Sequence, residues 1–488
     1  MRRRIVAILS FCLFWPCLPF LSGAYGQDKQ RLALSLGEAS RMALDNSLDV
    51  RIARYDAYIR GKDIYRDISV FDTLLEAELG YKDDRLGQNS VFAGTRAVDK
   101  EYDISLTKKT PTGTTLGLGF EHLRQWTNSG YADANPAYDL QGRVSLKQEL
   151  GRNFFGRADR AKIKMTRLGI ENAAYTSWDK IEGFLAAAQK AYWRVARERE
   201  KLRINEKMLG YARSLYHTNL SRYDRGLIEE PELLSSQVNL DIRSSELLLA
   251  QERLAAAENG LLLRLNQPER EQMSLEVTEG LALPQQGKVE ASRCLALALD
   301  SRRDYKAAKN SLLSGDVKLV IKKDSLFPQI DLSASFAKNG LSDKYSRSLS
   351  QITSQDQPEY YLGLKVVFPL ENTAARGEYA QAELERARSI LRLKNIERRI
   401  IVEVSDKARA VNTAYLRAES ARNVAALEEK KLNAERKRFR LGRSDSDTII
   451  RYQQDLLQAR LAAVDVLYEY YARHIELKDA EDSLLSDY

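Results

Sequence analysis

The side chains that could do chemistry are few and lie far apart in the chain. Three histidines occur, His122, His217 and His474, and none has the spacing or the cysteine partner of a metal site. Asp445 and Asp447 form an Asp-x-Asp pair, but they stand where a helix would begin, and aspartate is common there as a cap. We therefore predict no enzymatic activity, no cofactor and no metal.

Very long helices must position whatever the chain does. Apolar residues recur every seven positions at Ile181, Ala188, Val195, Leu202, Leu209, Tyr216 and Tyr223, and then at Leu233, Leu240, Leu247, Leu254 and Leu261. This spacing is typical of a coiled-coil seam. Gly226 and Pro231 lie between the two runs, where a helix end and a helix restart need them. We predict two long helices folded at a tight turn.

The same hairpin occurs a second time in the chain. Gly226 and Gly442 lie 216 positions apart, and the apolar seams on both sides of them stay in register. The first arms, 158–225 and 374–441, would each reach roughly 100 Å at about 1.5 Å per residue. We therefore predict two internal repeats per chain.

Alternating apolar and polar residues predict β-strands between the helical parts. The strands lie at 75–81, 102–107, 116–121, 140–147, 330–336 and 360–368. Their polar side includes Glu76, Arg143 and Lys365, which favours a water-filled lumen over the solvated face of a sandwich. The connections on one side are long, whereas 111–114 is a short turn. We predict strands of a membrane β-barrel.

The strands of one chain cannot close such a barrel. Bacterial barrels have at least eight strands, and open edges are not tolerated in lipid. The sequence therefore requires an oligomer. The hairpin at 102–120 exists only in the first half, so it either adds two strands to the barrel or protrudes as a flap.

The N-terminus and the composition set further limits. Residues 1–26 combine three arginines, an apolar run and small residues, which predicts a cleaved signal peptide. After cleavage Cys294 would be the remaining cysteine, in a packed apolar setting. The net charge of +8 is small beside 76 basic and 68 acidic side chains, and opposite charges alternate along the helices. We predict no nucleic-acid partner.

Several motifs together resemble the TolC-like outer membrane efflux protein family. They are the opening Leu-Gly-Glu-Ala at 36–39, the strand-to-helix passages 145–150 and 366–370, and the tip turns 222–227 and 438–444. The resemblance implies a mostly α fold with membrane β: a TolC-like trimeric outer-membrane β-barrel, continuous with a long α-helical coiled-coil tunnel. Six strands per chain would give an eighteen-strand barrel instead of the family's usual four per chain.

The resemblance also implies the function and the partners. The chain would be the outer membrane channel of a tripartite efflux or type I secretion system, located in the cell outer membrane and extending into the periplasm. Its partners would be two further copies in a homotrimer, a periplasmic adaptor (membrane fusion) protein, an inner-membrane pump or ABC transporter, and outer membrane lipid. The alternative is a secreted coiled-coil structural or adaptor protein with a small β domain.

The predicted division of the chain follows the two halves. We expect the signal peptide at 1–26, a helix and equatorial region at 27–68, barrel strands with the extra hairpin at 69–150, a helical hairpin at 151–268, a linker and helix at 269–326, barrel strands at 327–370 and the second hairpin at 371–488.

The two tips carry the candidate site residues. By resemblance the adaptor-docking residues are Tyr223, Gly226, Leu227, Phe439, Leu441, Gly442, Arg443 and Ser444. Some family members carry acidic residues six and nine positions after the second glycine, where this chain has Thr448 and Arg451. The family's acidic ring therefore does not carry over to these two positions. The possible periplasmic constriction comprises Asp445, Asp447, Thr448 and Arg451. Three copies of Asp445 or Asp447, or of an acid at the first tip (Glu229, Glu230, Glu232), could form a cation-attracting ring in a trimer. The same acids could instead stabilise a helix dipole.

Overall fold

The computed structural model describes residues 30–488 apart from 88, 90, 91, 93, 268–272, 286–287 and 356–357. The predicted signal peptide, 1–26, lies outside the described residues. The helices are α1 (Leu36–Asn46), α2 (Leu48–Gly61), α3 (Asp63–Ile68), α4 (Arg157–Tyr223), α5 (Glu230–Arg264), α6 (Ala291–Ser301), α7 (Arg303–Asp324), α8 (Tyr345–Ser354), α9 (Thr373–Arg440) and α10 (Ser446–Glu481). The strands are β1 (Gln30–Leu34), β2 (Thr73–Asp84), β3 (Ala97–Lys109), β4 (Thr114–Thr127), β5 (Ala137–Glu149), β6 (Met273–Val277), β7 (Gln329–Ser342) and β8 (Pro358–Val367).

All six predicted strands form one antiparallel sheet in the order β2-β3-β4-β5-β7-β8. The extra hairpin, β3 and β4, is hydrogen-bonded between β2 and β5, so the alternative of a protruding flap is wrong. Each strand is longer than its predicted core because alternation weakens near the strand ends. The short turn after Lys109 lies at the end of the sheet from which α4 begins, and the longer connections lie at the opposite end.

The pairing register separates an apolar face from a polar face. One row across the sheet consists of Leu75, Leu106, Leu118, Val144, Phe336 and Tyr360. The next row along the strands consists of Glu76, Ser105, Gly119, Arg143, Ala337 and Glu359 and lies on the other face. On the apolar face Leu75 is 70% exposed and Tyr360 is 78% exposed. At this row the apolar side chains of the two outermost strands, β2 and β8, are therefore largely open to solvent.

The long arms are continuous helices of 67 residues in α4 and 68 residues in α9, as predicted. The middle of α4 packs against α1 and the end of α5 in a core that contains Leu185, Tyr192 and Leu261. Likewise α9 packs against α6 and α10. The ends of α1 and α5 meet beside α4, where the side chain of Asn266, just after α5, donates to the Asn46 carbonyl at the end of α1.

The seven-residue seam predicted for α4 is buried only at Ile181, Ala188 and Val195. Lower down, the buried residues are Ile204, Met208, Ala212, Leu215 and Asn219, whereas Leu202, Leu209 and Tyr216 are half-buried. A straight helix rotates by about 20° per heptad relative to a strict seven-residue repeat, so a fixed seam leaves the contact face over several turns. The face that α4 buries inside the chain therefore moves around the helix toward the tip.

Three features were missing from the sequence-based prediction. The helical stretch after Leu34 is broken at Ser47, and α6 and α7 are separated in the same way at Arg302, where ψ is 130° and 122°. Strands β1 and β6 form a small parallel sheet. Helix α8 occupies the connection between β7 and β8.

Cys294 is buried, as predicted. Within the described part of the chain, no helix is both long enough and apolar enough to cross a membrane.

The passages from strand to helix contain three of the five non-glycine residues with positive φ among the described residues. Positive φ angles occur at Asn153 (58°), Phe155 (47°), Gly156 (70°) and Asn372 (45°), all within the links that lead into α4 and α9. Asn153 also caps α4, because its side-chain oxygen accepts the backbone N–H of Ala158 at 2.8 Å. These links change the direction of the chain between the end of a strand (β5 or β8) and the long helix that follows it.

A buried charge cluster fixes the C-terminal segment to α4. Arg303, at the start of α7, pairs with both Glu182 and Asp482, and the Leu484 N–H donates to Glu182 at 2.7 Å. Burial raises the pKa of Glu182 to about 7, against the lowering effect of the Arg303 hydrogen bond, and the nearby Asp482 carboxylate raises it further. The unfolded chain would lose this proton near pH 4.5, so the folded form loses stability as the pH rises from about 4.5 to 7.

We expect Glu182→Gln to remove this part of the pH dependence. Glutamine keeps the shape of the side chain but cannot titrate. The free energy of unfolding of the unmodified protein, relative to the variant, should fall by up to about 3 kcal/mol between pH 5 and pH 8. Thermal unfolding followed by circular dichroism measures this, with Glu206→Gln on the exposed face of α4 as the control. Parallel pH curves for the unmodified protein and Glu182→Gln would contradict it.

Candidate functional site

The two helical hairpins end in turns with the same hydrogen bonds. In the first, the N–H of Gly226 donates to the Tyr223 carbonyl at 2.8 Å and the N–H of Leu227 donates to the Arg222 carbonyl at 2.9 Å. In the second, Gly442 donates to Phe439 at 3.0 Å and Arg443 donates to Arg438 at 2.9 Å. Both glycines have φ of 70°, which side chains rarely adopt, and this explains why glycine ends both arms.

The turns present large apolar side chains to solvent. Leu227 is 68% exposed and Leu441 is 71% exposed, and Tyr223 and Arg443 are also exposed. Gly226 and Gly442 have open space around their α carbons. Ser444 is half-buried, and within the described residues its hydroxyl oxygen has no hydrogen-bond partner. Two exposed leucines on rigid turns form a small apolar surface that a partner could cover.

Phe439 differs from the other predicted docking residues because it is 6% exposed. Its ring packs with Leu215 of α4 and Ile449 of α10, and the Arg222 guanidinium lies 4.3 Å from the ring centroid. Arg222 also donates to the Phe439 carbonyl at 3.1 Å. This placement argues against direct contact between the Phe439 side chain and an adaptor. The aromatic ring joins the two hairpins near the tips.

The residues of the possible constriction have different environments. Asp445 is the N-cap of α10 and accepts the Thr448 N–H at 2.6 Å and the Thr448 hydroxyl at 3.1 Å. The Thr448 backbone hydrogen bond holds the pKa of Asp445 below its ordinary value. Asp447 and Arg451 are exposed, and the Arg451 guanidinium lies 5.6 Å from the Tyr452 ring centroid. Asp445 therefore has a capping role, and Asp447 is the acid of this pair with a free carboxylate surface.

A buried polar cluster near the tips was not predicted from the sequence. Asn219 of α4 donates to the Ser446 hydroxyl of α10 at 2.9 Å, and Ser446 donates to Glu232 of α5 at 2.6 Å. Asn219 and Ser446 are both fully buried. A polar residue inside a helical seam specifies register at a cost in stability, and Asn219 in an otherwise apolar stripe is the signal that could have revealed the cluster.

The polar contacts continue away from the tips between α5 and α10. Asn239 and Gln453 lie 3.5 Å apart at their side-chain amides, and Arg243, 4% exposed, pairs with Glu246 at 2.7 Å and also donates to Gln454. Apolar contacts instead join α10 to α4 and α9, through Met208, Leu432 and Leu456. The lower ends of the hairpins are thus held by specific hydrogen bonds on one side and by apolar packing on the other.

The described residues contain no group of His, Cys, Asp and Glu side chains arranged to hold a metal ion. The tips combine exposed leucines, a capped helix start and an exposed carboxylate. This arrangement suits recognition of a protein surface and interaction with ions.

The burial of Phe439 can be tested against its half-exposed counterpart, Tyr223. Phe439→Ala should lower the free energy of unfolding by about 3–5 kcal/mol because it leaves a cavity between α4 and α10. Tyr223→Ala should cost less than about 1 kcal/mol, since the ring is 41% exposed. Chemical denaturation of the two variants compares them directly. Equal losses would show that Phe439 does not join the hairpins.

Comparison with known proteins gives a family match over part of the chain and a fold match over nearly all of it. Residues 294–480 match the family model described as Outer membrane efflux protein. No curated protein matches the chain. The matched region extends from α6 through the sheet to α10 and includes the second tip.

Three solved structures illustrate the fold. The chain is similar to the Campylobacter jejuni CmeC outer membrane channel, with 13% identity, a TM-score of 0.66, and coverage of 92% of this chain and 85% of that chain. For the outer membrane protein VceC of Vibrio cholerae the values are 14%, 0.68, 92% and 96%. For the open state of the Neisseria gonorrhoeae MtrE outer membrane channel they are 15%, 0.66, 92% and 88%.

The fold is that of outer membrane channels with long helical extensions. The chain resembles the TolC-like outer membrane efflux proteins in the sequence of residues 294–480 and in its overall architecture, so the resemblance predicted from the sequence is confirmed. The family and these neighbours are channel proteins and not enzymes.

Proposed function

We propose that the chain forms a homotrimeric outer membrane channel that extends into the periplasm and serves as the passive conduit of a tripartite efflux system. The observation that carries the proposal is the continuity between the sheet and the long helices. The sheet is amphipathic and has two open edges, and it leads directly into two helices of 67 and 68 residues. The channel role agrees with the family match and with the fold of the solved channels.

The open edges support assembly into a closed barrel. Strands β2 and β8 are each paired on one side only among the described residues. Their apolar side chains, such as Leu79 at 79% and Leu362 at 76% exposure, would be unfavourable in water but stable in lipid. Pairing β8 of one copy with β2 of the next would satisfy both edges, and three chains of six strands would give an eighteen-strand barrel.

The helical region offers a second interface between copies. Tyr58, Ile59 and Tyr65 on α2 and α3 are 67%, 67% and 63% exposed, and Leu384 on α9 is 72% exposed. Clusters of exposed aromatic and aliphatic residues of this size usually mark a surface that another molecule covers. In a trimer, the α2–α3 surface of one copy would contact the neighbouring copy and complete a tunnel.

The polar face of the sheet would line the lumen, and part of it is strongly acidic. Glu78, Asp103 and Glu121 are successive cross-strand neighbours. One of these carboxylates, Glu121, lies 4.0 Å from the guanidinium of Arg143. Three copies of this row would surround the axis with carboxylates and would attract cations.

The acidic row gives an electrophysiological test of the channel. Purified trimers in planar lipid bilayers should conduct ions with a preference for cations, and the triple variant E78Q/D103N/E121Q should reduce the cation-to-anion permeability ratio severalfold. In about 1 M salt the Debye length is near 3 Å, so the difference between variant and unmodified protein should nearly vanish. A soluble monomer without conductance would favour a secreted coiled-coil protein and would overturn the proposal.

The tips would dock a periplasmic adaptor protein. Leu227→Ser and Leu441→Ser together should weaken adaptor binding by at least tenfold, because burying an exposed leucine side chain contributes about 1.5–3 kcal/mol. Pull-down or surface plasmon resonance with the candidate adaptor measures this, and Leu86→Ser is the matched control, because Leu86 is 73% exposed in the connection after β2, at the end of the sheet opposite the helices. Unchanged affinity would remove the leucines from the docking surface, whereas loss of trimers would point to a structural role.

Deletion of the gene separates efflux from type I secretion. Efflux predicts increased sensitivity to small toxic compounds, with the inner-membrane pump as partner. Retention of a secreted polypeptide inside the cell would instead assign the conduit to an ABC-transporter secretion system. Asp447, exposed at the second tip, remains the candidate for an acidic constriction in either case.

A further inference from the structure

The apolar face of the sheet ends in a row of cations and aromatic rings. Going away from the helices along this face, successive rows contain Leu106 and Leu118, then Ile104 and Phe120, then Tyr102 and His122. The row after these is Tyr81, Lys100, Arg124 and Tyr138, in neighbouring strands. The change from aliphatic to aromatic and basic residues resembles the border between the hydrocarbon region and the headgroups.

Lys100 and Arg124 form what we term the cation pair. They are directly opposed across β3 and β4, and within the described residues neither has an acidic partner at ion-pair distance. The acids next to Lys100 in sequence, Asp99 and Glu101, belong to the opposite face of the sheet because side chains alternate. Like charges that face each other across a strand pair destabilise the sheet unless an anion lies between them.

Aromatic contacts hold the Arg124 side chain at this border. Its guanidinium lies 5.7 Å from the Tyr138 ring centroid, and Arg124 Nε donates to the Tyr138 hydroxyl at 3.3 Å. The Tyr138 ring in turn lies 6.0 Å from the His122 ring, centroid to centroid. The guanidinium is therefore oriented by the sheet and is not a freely rotating surface charge.

Helix α8 covers the same end of the apolar face. The Tyr345 ring lies 5.2 Å from the His122 ring, centroid to centroid, and the Ser348 hydroxyl donates to the Gly340 carbonyl on β7. A side chain at position 340 would collide with the α8 backbone at Ser348, so glycine allows the close approach. Tyr345 and Leu349, one helical turn apart on α8, are 44% and 43% exposed. An apolar stripe on a short helix at this level suits the interface plane of a membrane.

We propose that the cation pair, together with α8, binds the phosphate groups of a lipid headgroup in the outer leaflet. The inference rests on the proposed function, because it needs the apolar face to contact lipid. Arginine and lysine recognise phosphate through charge-assisted hydrogen bonds. The acyl chains would lie on the aliphatic rows, and one phosphate would bridge the two opposed cations. The ligand class is a lipid whose headgroup carries phosphate monoesters.

The test uses purified full-length trimers in neutral detergent and native mass spectrometry. The probes are bisphosphorylated lipid A, the same lipid after removal of its phosphates, and inorganic phosphate. The double variant K100Q/R124Q should raise the dissociation constant for bisphosphorylated lipid A about tenfold or more, since each cation contributes roughly fivefold. Binding of the dephosphorylated lipid should stay unchanged. K100R should keep the affinity of the unmodified protein.

The matched control is R143Q/K365Q, which removes one arginine and one lysine from the opposite face of the sheet. Equal affinity in the control and in K100Q/R124Q would overturn the inference, as would displacement of the lipid by millimolar inorganic phosphate. If trimers insert into bilayers and conduct but show no phosphate preference, the lipid site fails and the channel stands. If no trimers form, the proposed function fails first.

Discussion

Two strand edges without partners govern the structure. A β-sheet can leave a backbone edge in water at modest cost, but an edge with exposed leucines on the same strand is unstable both in water and alone in lipid. Strands β2 and β8 have this combination. The chain has folded its helices around two substantial cores, so the remaining unsatisfied surfaces are those that further copies and a lipid environment would complete.

The long helices α4 and α9 extend far from the sheet. At about 1.5 Å per residue, α4 spans roughly 100 Å from the sheet to its tip. Between Leu185 and Ala196, α4 packs in an aliphatic and aromatic core, whereas near the tip it is joined to α5 and α10 by Asn219, Ser446 and Glu232. Hydrogen bonds specify position more strictly than apolar contacts, which can slide. The tips therefore have a defined relative register, although they are the part farthest from the sheet.

The sequence predicted the elements whose patterns are long. Seven-residue spacing located α4 and α9 within two residues, strand alternation located all six strands of the main sheet, and the two glycines located both tips. Alternation does not specify which strands pair with each other. It therefore does not decide whether β3 and β4 pair inside the sheet or protrude as a flap.

Shorter or composite features escaped prediction for physical reasons. Helix α8 is serine-rich and has few apolar residues, so its sequence has no clear helical pattern. Its position depends on contacts with Gly340 and His122, which lie far away in the sequence. Strands β1 and β6 stabilise each other across more than two hundred intervening residues, so neither has a strong local signal. The breaks at Ser47 and Arg302 leave the apolar periodicity almost intact. At the site, Phe439 and Tyr223 occupy equivalent turns, yet one is buried and one exposed, because Leu215 and Ile449 meet only the former.

The uneven distribution of strands imposes a symmetry mismatch. Four strands of the six-stranded sheet precede α4 and two precede α9, so in a trimeric barrel the long helices would leave the lower edge of the barrel at alternating short and long intervals. Below the barrel, α4 and α9, which are nearly equal in length, would fit best at even spacing around the trimer axis. The geometric adjustment between a threefold rim and a nearly sixfold tunnel would then fall on the short links before α4 and α9. Those links are where Asn153, Phe155, Gly156 and Asn372 adopt left-handed backbone.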